Sequence, residues 1–112
     1  GYGDEGDVLL AISTSGNSKN LIYAALTARA KDMPVVLLSG KDGGKLRAIA
    51  DVSIVVPNQK TYQIQELHLP IYHALLYTIQ PITVSKYCLV PLSLLKFPFI
   101  FIFSWQLDCD IL

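Results

Sequence analysis

An apolar run that leads directly into a hydroxyl-rich loop constrains this sequence more than any other feature. Residues Val8 to Ile12 are all apolar, as in a parallel strand that is covered on both faces. Four hydroxyl residues follow around a glycine, namely Ser13, Thr14, Ser15 and Ser18. A helix that begins here has unpaired N–H groups and partial positive charge, which favour a phosphate or another anion. The same residues also suit a plain turn and helix N-cap, so the pattern leaves both interpretations open.

The following segments alternate between helical and strand patterns. Apolar residues recur at helical spacing from about Ser18 to Lys31, and Pro34 ends that helix. Apolar strands are predicted at 35–38 and 52–56, with a short helical segment at 45–50 between them. This order implies right-handed crossovers and a parallel α/β sheet. Ligands of such sheets bind outside the carboxyl ends of the strands, where the hydroxyl residues are expected.

A second candidate site lies in the segment from Tyr62 to Ile79. Its apolar residues recur every three or four positions, which predicts a helix that packs one stripe on the sheet: Ile64, Leu67, Ile71, Ala74, Leu75 and Thr78. On that helix, His73 and Glu66 project to nearly the opposite side, near Leu69 and Leu76. Such a mixed face should not simply meet water, so we expect another subunit to cover it.

The geometry of this helix limits what its polar residues can share. Gln65 and His73 are eight residues apart, so on a straight helix their Cα atoms differ by about 12 Å in height. Pro70 predicts a bend or a fresh helix start nearby, which would help the two side chains to converge. From the residues alone, His73 and His68 are ordinary helix-surface or interface histidines.

Composition separates the last third of the chain from the rest. The four Phe residues, the only Trp and both Cys residues lie after Tyr87, whereas only three of the 18 charged residues do. Tyr87 to Trp105 is apolar enough to suggest a membrane span, but Pro91, Pro98 and Lys96 interrupt it and make membrane insertion the less favoured interpretation. Residues 97–103 carry an aggregation risk. Cys88 and Cys109 form no CxxC pair, so no metal or redox motif is expected there.

Length and charge exclude several classes of protein. With 112 residues, the chain is at most one modest domain. Its formal net charge is zero and it has no basic cluster, so we expect no direct nucleic-acid ligand. The sequence does not start with Met and its first seven residues are mainly polar, so we expect no signal peptide and interpret the sequence as a fragment.

Three motifs occur together in a fixed order: Ser13-Thr14-Ser15-Gly16-Asn17-Ser18, Gly40-Lys41-Asp42-Gly43-Gly44-Lys45, and Ile64-Gln65-Glu66-Leu67-His68 with His73 beyond. Together they resemble the sugar isomerase (SIS) domain, and more closely the C-terminal half of the bacterial phosphoheptose isomerase family. The resemblance runs from about Gly3 to Ile79. It implies a partial Rossmann-like (flavodoxin-type) α/β domain with a parallel sheet and flanking helices. Residues 1–80 would be the C-terminal portion of that domain and 81–112 a hydrophobic tail, which suggests a frameshift or readthrough product.

The resemblance also implies an activity and its residues. The family is expected to interconvert sedoheptulose 7-phosphate and D-glycero-D-manno-heptose 7-phosphate, a step toward lipopolysaccharide heptose, as a cytoplasmic homo-oligomer that uses zinc. By position, Ser13, Thr14, Ser15 and Ser18 would contact the sugar phosphate. Gln65 would bind substrate or metal, and His73 would be a metal ligand and the proton-transfer group. The other metal ligands, a His and a Glu, belong to an N-terminal half that this chain lacks, so weak or absent activity is expected.

Two other interpretations stay open. A non-catalytic SIS module that senses a sugar phosphate or scaffolds another protein would keep the hydroxyl residues but would need neither Gln65 nor His73. A membrane-attached protein is the third possibility, and it depends on the tail alone.

Overall fold

A four-stranded parallel sheet organises the chain. The computed structural model describes the backbone of residues 3–87 and 99–103 and the side chains of residues 3–78. Its elements, in chain order, are β1 (Val8–Ser13), α1 (Lys19–Ala30), β2 (Val35–Ser39), α2 (Gly44–Ile49), β3 (Val52–Val55), α3 (Thr61–Tyr87) and β4 (Phe99–Phe103). The predicted α/β fold with a parallel sheet and flanking helices is therefore confirmed.

The strand order is β3-β2-β1-β4, with β1 between two parallel neighbours. Leu9 is paired with Val35 and Ser13 with Ser39, so β1 and β2 end together. On the other side of β1, Val8 is paired with Phe99 of β4. The chain passes from β1 outward to β3 and then returns to the far side of β1. This reversal makes the carboxyl end of β1 a topological switch point, the place where open α/β sheets bind ligands.

Two apolar layers cover the two faces of the sheet. On one face, β1 and β2 pack against α1 and α2, and the buried residues include Leu9, Ala11, Leu21, Ala25, Val35, Leu37 and Leu46. On the other face, Leu10, Ile12 and Leu38 pack against Ile71 and Tyr72 of α3. Because successive strand residues point to opposite faces, a strand covered on both sides must be apolar throughout. The unbroken apolar run in β1 follows from this position.

Helix α3 is continuous, and its buried face differs from the predicted one. The helix does not begin afresh at Pro70. Ile64 is fully buried as predicted, but Leu67 is 42% exposed and His68 only 3% exposed. Ala74 and Thr78 are also exposed, so the predicted stripe is wrong at these positions. The helix instead turns Ile64, His68, Ile71, Tyr72 and Leu75 inward, all buried or half-buried.

A hydrogen bond explains why a histidine takes the buried position. The His68 Nε2 atom lies 3.0 Å from the carbonyl oxygen of Ser39, at the end of β2. Burial of a polar ring is tolerated when such a partner is present. Desolvation lowers the pKa of His68 below its ordinary value of 6.5, and the bond to Ser39 opposes this to a lesser extent. The neutral ring therefore predominates near pH 7, with Nε2–H as the donor.

The outward face of α3 carries the residues that the sequence predicted. Glu66 and His73 are exposed. Leu69 and Leu76 are 46% and 42% exposed in the single chain. The helix therefore presents a mixed polar and apolar surface to its surroundings.

The tail contributes a strand to the sheet. Helix α3 crosses residue 80, and β4 is paired with β1. The boundary between 80 and 81 and the separate origin of the tail stay predictions. The expectations for Cys88, Cys109 and most of the apolar span 87–105 concern residues outside those described. Within the described part of the chain, no helix is both long and apolar enough to cross a membrane.

The buried His68 predicts a pH-dependent stability. Its pKa is lowered in the folded chain, so below about pH 6.5 the unfolded chain takes up a proton that the folded chain resists. The free energy of unfolding should therefore fall as the pH falls, by at most about 1.4 kcal/mol per pH unit from this group. Urea unfolding between about pH 7.5 and pH 5.5 measures the slope. His68→Gln keeps an N–H donor but does not titrate, so its slope should be shallower. Equal slopes for both proteins would contradict the assignment.

Candidate functional site

The four predicted hydroxyl residues lie together at the switch point. Residues Ser13–Ser18, which we name the hydroxyl loop, connect the carboxyl end of β1 to the start of α1. Ser13, Thr14, Ser15 and Ser18 are each buried at 9% exposure or less. The structure therefore gathers them at the edge of the sheet where a ligand is expected.

Hydrogen bonds within the loop shape it without using every hydroxyl. Ser13 Oγ accepts the Gly16 N–H at 3.0 Å, and Ser15 Oγ accepts the Asn17 N–H at 3.3 Å. Ser18 is the N-cap of α1, but its side chain makes no capping hydrogen bond, and no acidic residue lies in the first turn. The positive end of α1 is therefore not neutralised by the usual capping groups of its own sequence.

Hydrogen bonds connect the hydroxyl loop to the start of α2. Asn17 Oδ1 accepts the Lys45 N–H at 3.0 Å, and the Gly16 carbonyl accepts the Leu46 N–H at 3.0 Å. Asp42 Oδ1 accepts the Gly44 N–H at 2.9 Å. We call the contacts of Gly16 and Asn17 with α2 the loop clasp. The first N–H groups of α2 are therefore engaged by protein acceptors.

Two glycines make the loop clasp possible. Gly16 has φ +68°, and a Cβ added to it would collide with the carbonyl group of Gly43. Gly44 has φ +55°, and its Cβ would collide with the carbonyl oxygen of Ser15. The two backbones therefore meet directly, at a distance that only residues without side chains permit.

The second group of predicted residues lies on α3. Gln65 is half-buried near the start of the helix, and His73 is exposed two turns later. The His73 ring meets the ring of Tyr72 edge to face, with 4.8 Å between ring centroids and an interplanar angle of 85°. Because α3 is continuous, the two Cα atoms keep their separation of about 12 Å along the axis. In the described part of the chain, no hydrogen bond joins either side chain to the hydroxyl loop.

The described residues do not form a metal centre by themselves. Among residues 3–78, no three His, Cys, Asp or Glu side chains are grouped so that they could hold a metal ion. The predicted ligands Gln65 and His73 supply one amide and one imidazole. Zinc sites in proteins generally use three or four protein ligands. The residues present therefore do not fit a complete zinc site.

Sequence reasoning missed two residues that shape the site. The sequence predicts a surface or interface position for His68, and it gives Asn17 no role beyond its place in the hydroxyl-rich motif. The structure buries His68 against Ser39 and places Asn17 between two loops. The spacing of Ile64, His68 and Ile71 also fits a helical face, and this was the available signal for His68. No local sequence pattern predicts the contact of Asn17 with Lys45, because the two residues are far apart in sequence.

Comparisons with known proteins agree with this geometry. Residues 2–40, which contain β1, the hydroxyl loop, α1 and β2, match the SIS domain family. The phosphoheptose isomerase of Histophilus somni (strain 2336) is 52% identical over 79 residues, which are 70% of this chain and 40% of that protein. That of Yersinia enterocolitica is 53% identical over 79 residues, 70% of this chain and 41% of that protein.

Solved structures give the same result. The phosphoheptose isomerase of Neisseria gonorrhoeae superposes with a TM-score of 0.64 at 49% identity, covering 65% of this chain and 42% of that chain. The phosphoheptose isomerase of Francisella tularensis also gives a TM-score of 0.64, at 39% identity, covering 66% of this chain and 40% of that one.

Fold, hydroxyl loop and sequence match together define an α/β protein of the SIS domain class. Within that class, the chain is similar to phosphoheptose isomerases, with 52% identity to one relative over 79 residues and 49% identity to one solved structure. It spans about two fifths of the length of the relatives that it matches.

The loop clasp predicts that Gly16 cannot carry a side chain. Gly16→Ala adds a collision with Gly43 to the cost of a left-handed backbone, which alone is about 1–3 kcal/mol. Gly6→Ala is the matched control, since Gly6 has φ +92° and no atom lies within 4 Å of its added Cβ. The free energy of unfolding, measured in urea, should fall more for Gly16→Ala than for Gly6→Ala. Equal losses would mean that the two loops separate at no cost.

Proposed function

We propose that this chain is part of an enzyme that interconverts sedoheptulose 7-phosphate and D-glycero-D-manno-heptose 7-phosphate, a step in the synthesis of lipopolysaccharide heptose. The observation that carries the proposal is the 52–53% identity to phosphoheptose isomerases over 79 residues, 70% of this chain. The fold and the buried hydroxyl loop at the switch point support it.

The hydroxyl loop is proposed to bind the phosphate of the sugar. Thr14 and Ser18 lie at the carboxyl end of β1 and at the N-cap of α1, where serine and threonine hydroxyls can donate to phosphate oxygens. Ser13 and Ser15 accept backbone N–H groups within the loop, and their own O–H groups are proposed to donate to the phosphate as well. The positive end of α1, which has no acidic residue in its first turn, adds a favourable field for a dianion. The loop clasp fixes this arrangement before the ligand arrives.

His73 is proposed to move the proton. Conversion of an aldose to a ketose requires that a proton leave C2 and that a proton be delivered to C1, through an enediol. An imidazole is suited to both duties near neutral pH. His73 is exposed on α3 and is therefore accessible to a ligand from solvent. Gln65 is proposed to orient the substrate from the same helix.

Zinc is proposed as the cofactor only with additional ligands. Gln65 and His73 supply two donors at most, and the described residues contain no cluster of three ionisable ligands. The remaining donors would come from residues outside this chain. When bound, zinc would polarise the sugar carbonyl. No step assigned to the residues of this chain depends on it.

A homo-oligomer, a dimer or tetramer in the cytoplasm, is proposed for the complete protein. The outward face of α3 exposes Leu69, Leu76 and Tyr77, the last at 79%. An apolar surface of this kind on a helix marks an interface with another protein. A second copy of the protein would cover these residues and lie beside His73.

The proposed role of His73 can be tested in the full-length protein that contains this segment. His73→Gln should lower the turnover of sedoheptulose 7-phosphate by about 10²–10⁴-fold, since general-base losses have this size. Binding of the sugar phosphate, measured by calorimetry, should persist at reduced strength because the hydroxyl loop lies on a different element. Tyr23→Phe, a change at an exposed position on α1, is the control and should retain full turnover. More than about a tenth of wild-type turnover in His73→Gln would instead favour a sensing or scaffolding module.

The proposed phosphate contacts predict a different kinetic effect. Ser15→Ala together with Ser18→Ala in the full-length protein should raise KM for the sugar phosphate, since each lost hydrogen bond to a charged group costs about 1.5–3 kcal/mol. The fold should survive, because Ser18 makes no capping bond and Ser15 Oγ accepts only one 3.3 Å bond. Ser53→Ala, in β3 and away from the loop, is the control. Unchanged KM and kcat in the double variant would leave only the turn-and-cap interpretation.

A further inference from the structure

One peptide group lies between the hydroxyl loop and α3. The N–H of Gly40 donates to the carbonyl oxygen of Thr14 at 3.2 Å. The carbonyl of Ser39, in the same peptide plane, accepts the Nε2–H of His68 at 3.0 Å. A continuous series of hydrogen bonds therefore runs from the hydroxyl loop, through the Ser39–Gly40 peptide, to the middle of the described inward face of α3.

Apolar packing alone fixes the position of α3 less exactly than this hydrogen bond does. Ile64 packs directly over Gly40, and Ile71 and Tyr72 contact the apolar layer on that face of the sheet. Such contacts are non-directional and permit small rotations and shifts of the helix. A hydrogen bond depends on both distance and angle, so it selects one rotation of the helix about its axis and one distance of the helix from the sheet. Among the described residues, His68 supplies the side-chain hydrogen bond from α3 to the sheet.

We propose that His68 is a positioning residue that sets the place of Gln65 and His73 relative to the hydroxyl loop. Gln65 precedes it by about one helical turn and His73 follows it by little more than one. A rotation of α3 about its axis would move both side chains together, while the hydroxyl loop would stay with β1. The inference rests on the proposed function, because it assigns the two groups to a single sugar-phosphate site.

The fold does not need this bond to satisfy the Ser39 carbonyl. That oxygen also accepts the Val56 N–H at 2.9 Å. A carbonyl oxygen with one remaining partner is not an orphaned acceptor, so loss of the imidazole leaves no unpaired backbone group. Replacement of His68 should thus disturb the placement of α3 more than the folding of the sheet.

Two variants separate positioning from simple packing. His68→Leu fills the space but removes the donor, whereas His68→Gln retains an N–H near the position of Nε2. Binding of inorganic phosphate and of sedoheptulose 7-phosphate to the full chain is measured by calorimetry. Under the proposed function, inorganic phosphate would contact the hydroxyl loop alone, so both variants should bind it as the wild type does. Affinity for sedoheptulose 7-phosphate should fall about three- to tenfold in His68→Leu and recover in His68→Gln.

The results distinguish the possible explanations. Equal losses for both ligands, or an unchanged affinity of His68→Leu for the sugar phosphate, would overturn the positioning role. A wild-type chain that binds the sugar phosphate no better than inorganic phosphate would count against the proposed function instead. In that case the Gly40 amide still tests the link, because its hydrogen exchange should be faster in His68→Leu and near wild type in His68→Gln. Identical exchange in all three proteins would overturn the inference.

Discussion

The direct meeting of two backbones at Gly16 and Gly44 is the constraint on which the candidate site depends. Each glycine has a left-handed φ, and each leaves room for a carbonyl group of the opposite loop. The same contact brings Asn17 to the first turn of α2, where its side chain accepts an N–H group. A polar loop beside a sheet is ordinarily mobile, but this one is held from both sides. The backbone that carries its hydroxyl groups is therefore held in one arrangement.

The residues of the candidate site lie on two parts of the fold. The apolar strand β1 and the helices on one face form a rigid base for the hydroxyl loop. Helix α3, on the other face, carries the ionisable and amide side chains. The end of β2 lies between them, and its last peptide contacts both. Under the proposed function, the hydroxyl loop would hold the ligand and α3 would act on it, which requires that α3 keep its rotation.

The sequence was sufficient for the fold wherever apolar runs and helix breakers are unambiguous. The run from Val8 to Ile12 and the stop at Pro34 predict their elements to within a residue or two, and the hydroxyl loop is where these elements place it. The sequence predicts the buried face of α3 incorrectly, because Leu67 and His68 are neighbours and hydrophobicity favours leucine for the buried position. The burial of His68 depends on an acceptor at Ser39, 29 residues away, and helical periodicity cannot reveal such a partner. The roles of Gln65 and His73 came from the resemblance and stay predictions.

The position of β1 in the centre of the sheet affects how the chain folds. Its pairing with β2 joins segments that one helix separates, so this pairing is local and can form early. Its pairing with β4 joins segments about ninety residues apart, which raises the contact order and delays closure of that side. Until then β1 has an open, apolar edge, which is a template for intermolecular strand pairing. The pairing of β1 with β4, which joins the most distant segments, thus covers the edge of the strand from which the hydroxyl loop begins.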